Sequence, residues 1–153
     1  MIKIREATAE DIPETFKIRV ATKENVLTED DLWKSGITPQ AVEKLLQTCC
    51  KCWVTEYDHR VVGFCTANAE TKSIWALFIY PEYEGRGLGR LLMEAAVDWL
   101  WSKGTDQIWL TTETNTRADG FYRHLGWQRG ETVYEDGIED VRYTLKRPSR
   151  VTP

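Results

Sequence analysis

Gly85, Gly87 and Gly89 stand at alternate positions in the run Glu84-Gly85-Arg86-Gly87-Leu88-Gly89-Arg90, immediately before the most regular helical pattern in the chain. Glycine lets the backbone approach a ligand closely, and the amides of a helix N-terminus point outward with a partial positive charge. Such a segment can cradle a phosphate or pyrophosphate, although a glycine triplet alone is equally a tight strand-to-helix turn. Two familiar phosphate loops are excluded by spacing. A Walker-type loop needs Gly-Lys-Ser/Thr, and Gly89 is followed by Arg90-Leu91. A dinucleotide loop needs Gly-x-Gly-x-x-Gly after a first βαβ strand, and these glycines are evenly spaced by two behind a mid-chain strand. Elsewhere, Tyr122 is a candidate proton donor that reads equally as a helix residue packing beside Phe121 and Leu125. Glu113, Glu24 and Glu70 are candidate bases, each of which reads as a solvated carboxylate on composition grounds.

These groups need a frame. Ile2 and Ile4 begin a strand that ends at Ala7-Thr8, and the pair Thr8 and Asp11 has the spacing of a helix cap, predicting a helix over 9–23. Residues 24–36 read as irregular and acidic. Thr38-Pro39 starts a second helix over 39–48, since threonine caps and proline at the first position loses no needed hydrogen bond. Residues 52–57 and 61–67 form a hairpin about Asp58-His59-Arg60, and 73–80 is a strand whose continuous apolar run predicts burial on both faces. Leu88, Leu91, Leu92, Ala95, Ala96, Trp99 and Leu100 trace one face of a long helix ending near Gly104. A strand over 107–112, a short helix over 115–125 and two strands within 128–145 about Asp136-Gly137 follow. The order is mixed α/β: a largely antiparallel twisted sheet of about seven strands with about four flanking helices. One domain over 1–145 and a loose polar tail over 146–153 are expected.

The run 84–89, the strand Trp75-Ala76-Leu77-Phe78-Ile79-Tyr80-Pro81 before it and the block Asn115-Thr116-Arg117-Ala118-Asp119-Gly120-Phe121-Tyr122-Arg123-His124-Leu125-Gly126-Trp127 after it resemble the GNAT superfamily of acetyltransferases, as does the order of elements along nearly the whole chain. The resemblance implies the GNAT fold and transfer of acetyl from acetyl-CoA directly to a primary amine, on a small molecule or a peptide. It implies that backbone groups of Leu77, Phe78 and Ile79 meet the pantetheine arm, and that the loop Glu84, Gly85, Arg86, Gly87, Leu88, Gly89 and Arg90 holds the pyrophosphate, with Arg86 and Arg90 adding charge. Asn115 would bond the pantetheine, and Tyr122 would donate a proton to the departing sulfur with Glu113 as a candidate base. Glu84 departs from the family's commoner Gln or Arg, which sets a carboxylate near the pyrophosphate. A CoA-binding regulator without turnover is the alternative, and dimers in the family leave a homodimer open.

Composition narrows the rest. With 153 residues and 42% apolar content the chain can bury one sizeable core. A formal charge of −4 disfavours nucleic acid and suits a cationic acceptor, to which Glu29, Asp30 and Asp31 could contribute. No apolar run approaches a membrane span, and the charged N-terminal residues do not resemble a signal peptide, so a cytoplasmic chain with no membrane partner is expected. Cys49, Cys50, Cys52 and Cys65 read as reduced thiols, and neither His59 nor His124 completes a metal spacing with them. Of the seven tryptophans, most read as core and Trp33 alone as a candidate for substrate contact.

Overall fold

The computed structural model describes residues 1–24 and 26–148. Seven strands form one sheet: β1 (Ile2–Glu6), β2 (Cys50–Tyr57), β3 (Arg60–Asn68), β4 (Ser73–Ile79), β5 (Gln107–Glu113), β6 (Gln128–Glu135) and β7 (Ile138–Lys146). The helices are α1 (Ile12–Val20), α2 (Glu29–Lys34), α3 (Pro39–Leu46), α4 (Leu88–Ser102) and α5 (Arg117–His124), with 3₁₀ turns at Ala9–Asp11 and Pro81–Tyr83. Strand order is β1-β2-β3-β4-β5-β7-β6, and β4 with β5 is the parallel pair in an otherwise antiparallel sheet.

The hairpins follow from local chemistry. Asp58 and His59 have φ of 50° and 69°, and Asp136 and Gly137 have φ of 52° and 80°, the left-handed pairs that match the twist of the flanking strands. The start of α1 is tied down by Arg5, whose guanidinium donates to Asp11 at 2.8 and 3.0 Å and to Glu56 at 3.0 Å. That guanidinium holds the Asp11 carboxyl below its ordinary range, and the Thr8 amide adds to the effect.

Two cores lie on opposite faces of the sheet. On one, α4 lays Leu92, Met93, Ala96 and Leu100 against Trp53, Cys65, Ala67 and Leu110. On the other, Ile18 of α1 meets Cys52, Val54, Val62 and Phe64, while Ile12 and Phe16 meet Leu32 of α2. Four sequence expectations need correction. The helix expected over 9–23 is a 3₁₀ turn followed by α1, which ends at Val20. The acidic stretch contains α2, one helix more than expected, started by a capping box in which the Thr28 hydroxyl accepts from the Asp31 N–H. Trp75 is 51% exposed, although the apolar run predicted burial on both faces. Lys146 belongs to β7 and the Arg147 N–H donates to the Asp106 carbonyl at 2.8 Å, so the sheet reaches into the expected tail, whose last residues, 149–153, lie outside the described residues.

Candidate active site

The functional geometry begins at a fault in the sheet. Between Thr66↔Ala76 and Ala67↔Ile74 the register of β3 with β4 shifts, which leaves Trp75 as an extra residue, a β-bulge. Beyond it β4 and β5 part, and their pairing is the single register Ser73↔Trp109. The Tyr80 N–H donates to the Val62 carbonyl at 2.8 Å. Alternation along an antiparallel ladder then assigns the backbone groups of Phe78 to β3 and turns those of Leu77 and Ile79 toward the gap. Of the three strand residues expected to offer backbone groups, two therefore face the opening.

A cleft of about 1540 Å³ fills this gap and continues beneath α1, α2 and α3. Leu77, Phe78, Ile79, Glu84, Gly85, Gly87, Leu88, Gly89 and Arg90 line it, and so do Glu113 and Tyr122. At its outer end Gly85 and Gly87 have φ of 76° and 80°, and Gly87 is the N-terminal cap of α4. A Cβ at Gly87 would meet no atom within 4 Å, so the space before the helix amides is open. Gly89 serves packing instead, since a Cβ there would come to 3.4 Å from the Phe121 ring.

Charge around this cradle is arranged differently from the expectation. Arg86 is not among the residues lining the cleft; its guanidinium donates to the Tyr57 hydroxyl at 2.9 Å and lies over Tyr57 and Tyr83, with centroid distances of 5.0 and 5.4 Å. Arg117 lines it and donates to Glu84 at 2.8 Å, so the unusual carboxylate carries its own counter-charge. Arg90 pairs with Glu94 one turn along α4 at 3.3 Å. Asn115 has φ of 60° and is not among the lining residues.

At the inner end α5 presents Tyr122, 6% exposed, its ring against Phe121, Trp127 and Tyr143 at 5.3, 6.1 and 5.6 Å between centroids. Burial raises the phenol above its ordinary value, with the neighbouring Cys65 and Tyr143 adding to the effect, so it keeps its proton. The helix is fixed from below: Asp119 accepts from the Tyr143 hydroxyl and from Arg129 at 3.1 and 3.3 Å. Among the three candidate bases, Glu113 closes β5 and lines the cleft. Glu24 also lines it, and its carboxylate accepts from the Arg117 N–H at 3.0 Å, joining the segment after α1 to the start of α5. Glu70 is exposed in the β3–β4 turn, outside the lining.

Sequence reasoning missed Arg19, Trp75 and Arg117, all in the cleft wall. Two of the acidic trio are engaged within α2, where Asp31 accepts from the Thr28 N–H and Asp30 pairs with Lys34 at 2.9 Å, and Glu29 lies in the first turn of the same helix. Trp33 is 53% exposed and is not among the lining residues. The four cysteines are free thiols, and burial pushes Cys50 up to about 12 and Cys52 to about 11, which keeps both protonated and unreactive. Among the described residues no group of three or more His, Cys, Asp or Glu side chains could hold a metal ion, and no helix is long and apolar enough to cross a membrane.

Comparison with known proteins gives this geometry a context. A mycothiol acetyltransferase of Beutenbergia cavernae is 41% identical over 61 residues, 39% of this chain and 20% of that protein. An uncharacterized N-acetyltransferase of Chlorobaculum tepidum is 24% identical over 111 residues, covering 71% of this chain and 69% of the relative. The chain thus spans a fifth of the first relative and about two thirds of the second. Among solved structures, the PaiA N-acetyltransferase of Thermoplasma acidophilum, in complex with coenzyme A, superposes with a TM-score of 0.76 at 16% identity over 93% of this chain and 98% of that one. The ribosomal-protein-S18-alanine N-acetyltransferase of Escherichia coli does so with 0.75 at 16% identity over 99% of each. At such identities the likeness is one of fold. The sequence pattern of the acetyltransferase (GNAT) family, however, matches residues 12–127, from the first residue of α1 to Trp127, and a match over most of the chain makes this protein a member of that family.

Proposed function

We propose that this chain is an N-acetyltransferase that moves acetyl from acetyl-CoA directly to a primary amine. The observation that carries the reading is the continuity of one cleft from the open, positive-φ cradle at Gly85 and Gly87 to the buried phenol of Tyr122. The residues fit such a co-substrate: free helix amides with Arg90 and Arg117 for a diphosphate, then the unpaired edge of β4 for an extended amide-bearing arm. Coenzyme A in the Thermoplasma neighbour supports the same fit.

When bound, acetyl-CoA supplies an acetyl thioester open to attack by an amine. Leu77 and Ile79 hold its arm through main-chain groups, and the Ile79 amide is a donor for charge developing on the carbonyl oxygen. Tyr122 keeps a proton on its hydroxyl that passes to the sulfur released when the C–S bond breaks, a transfer that runs uphill against a thiol whose ordinary pKa is about 8.5 and is completed when the phenol is reprotonated from solvent. The amine's proton passes to Glu113 or to water along the cleft. No protein nucleophile is required. We also propose a cytoplasmic location, with which the free thiols of Cys49, Cys50, Cys52 and Cys65 are compatible.

The test is calorimetric titration of acetyl-CoA into the native chain and into Gly87→Glu. Binding by the native chain that the variant loses is expected; no binding to the native chain would overturn the reading.

A further inference from the structure

Among the described residues that line the cleft, carboxylates outnumber arginines, and both arginines at the donor end are already held by a carboxylate. Arg90 and Glu94 are neighbours along one face of α4, 3.3 Å apart. Arg117 and Glu84 differ in kind, because their bond spans two elements: Arg117 is the first residue of α5, and Glu84 stands just before Gly85 in the cradle loop. The 2.8 Å contact crosses the mouth of the cradle. Arg117 Nη2 is 3.9 Å from the point that a Cβ on Gly85 would occupy, so the guanidinium lies against the glycine whose φ of 76° shapes the loop. Glu24 accepts from the Arg117 N–H at 3.0 Å, which fixes the main chain at the start of α5 and leaves the side chain to Glu84.

The pair is open to water, with 60% of the Arg117 side chain and 38% of the Glu84 side chain exposed. An ion pair in that setting is worth little, because solvent screens both charges. A diphosphate is the stronger partner for the same guanidinium. It carries two charges where a carboxylate carries one, its oxygens match the planar fork, and the amides at the start of α4 bond it at the same time. Glu84 beside it would repel it, so an arginine that stayed on the carboxylate would gain less than one that moved across. In the free chain Glu84 thus occupies the arginine that an arriving diphosphate needs.

We propose that Glu84 is an internal surrogate for the diphosphate of acetyl-CoA: it holds Arg117 at the cradle mouth in the free chain and yields the guanidinium when the co-substrate enters. This rests on the acetyltransferase reading above and adds how its donor site is kept ready. The exchange has a cost. Releasing Arg117 subtracts from the affinity for acetyl-CoA, so Glu84 sets that affinity below what the cradle and Arg117 would reach without it.

The experiment titrates acetyl-CoA calorimetrically into the native chain, Glu84→Gln, Arg117→Gln and the double variant, with melting temperatures taken alongside to confirm that each is folded. Arg117→Gln should weaken binding about 10-fold or more, the scale of charge-assisted bonds to a phosphate. Glu84→Gln should tighten it. That gain should be about two- to fivefold larger in the native background than in Arg117→Gln, because only with Arg117 present does the substitution also release the ion pair. A pair that persisted in the complex would give an equal or smaller gain in the native background, so the comparison separates exchange from a fixed structural contact. CoA and dephospho-CoA, which keeps the diphosphate and lacks the ribose 3′-phosphate, are titrated in the same way, and the effect of Arg117→Gln should be the same on both. A gain from Glu84→Gln that is no larger with Arg117 present, weaker binding by Glu84→Gln, binding unmoved by Arg117→Gln, or an Arg117 effect that disappears with dephospho-CoA would each overturn the inference. No binding of acetyl-CoA by the native chain would instead overturn the acetyltransferase reading, and inorganic pyrophosphate titrated into the same four chains would still decide the exchange.

Discussion

Replacing Tyr122 by phenylalanine removes one oxygen and leaves the packing intact. The ring is 6% exposed and its contacts with Phe121, Trp127 and Tyr143 are made by carbon faces that phenylalanine retains. Stability should therefore change by less than about 1.5 kcal/mol, the net worth of one hydrogen-bonding group. Acetyl-CoA affinity should hold, because the cradle and the β4 edge are untouched. A general acid contributes about 10²- to 10⁴-fold, so kcat should fall at least about 10²-fold, or about 2.7 kcal/mol of barrier. The pH profile adds a second check. Burial raises the phenol above its unperturbed value of about 10, so the native enzyme keeps this proton throughout the neutral and mildly alkaline range, and no falling limb below about pH 10 should belong to Tyr122. The assay is CoA release at saturating acetyl-CoA and amine, with melting temperature measured alongside. Tyr122→Ala provides the contrast: deleting the ring should cost about 3–5 kcal/mol of stability as well as activity. Retention of kcat within about threefold in Tyr122→Phe would refute the acid role, since that lies far below what a general acid supplies.

Other perturbations follow from the same geometry. Gly87→Ala should lower stability by about 1–2 kcal/mol through its positive φ, whereas Gly87→Glu should in addition remove acetyl-CoA binding by charging the open space before α4; calorimetry and melting separate the two effects. Gly63→Ala would put a Cβ 2.5 Å from Ile79 Cδ1 and 3.2 Å from the Phe78 carbonyl, so it should destabilise the fold by about 1–3 kcal/mol and weaken acetyl-CoA binding through β4, measured by melting and titration together. The buried Cys52 and Cys65 have raised pKa values in the folded chain, so their protons are retained when an unfolded chain would release them. Stability is unaffected by them below about pH 8.5 and should decline above it, by at most about 1.4 kcal/mol per pH unit for each thiol, in chemical denaturation followed at rising pH; a Cys52→Ala, Cys65→Ala variant should show a shallower decline.

The parts legible in sequence were those governed by local chemistry. The turn before α4 is legible because Gly85 and Gly87 hold the positive φ that favours glycine, and the hairpin at Asp136-Gly137 for the same reason. Helix α2 was missed although Thr28 and Asp31 carry a capping-box spacing, a signal that a six-residue acidic helix makes easy to pass over. Trp75 was misread because an apolar run does not reveal a bulge, which depends on the register of β4 against β3. The resemblance implies a phosphate role for Arg86, whereas its guanidinium donates to the Tyr57 hydroxyl and lies over Tyr57 and Tyr83, a contact that joins β2 to the loop before α4 across a long stretch of chain. Glu84 stands out in the sequence because its partner, Arg117, is 33 residues away in the chain. Arg19 carries no local signal, because its contact with the Phe78 ring joins α1 to β4 across the fold.

The most direct measurement is to incubate the native chain with acetyl-CoA and a panel of amines and follow both free CoA and acetylated amine by mass. Equal amounts of the two, with the rate reduced at least about 10²-fold in Tyr122→Phe, are expected. Tight binding of acetyl-CoA with no acetylated amine, and no difference between native and Tyr122→Phe, would contradict the account and leave a protein that binds the thioester without using it.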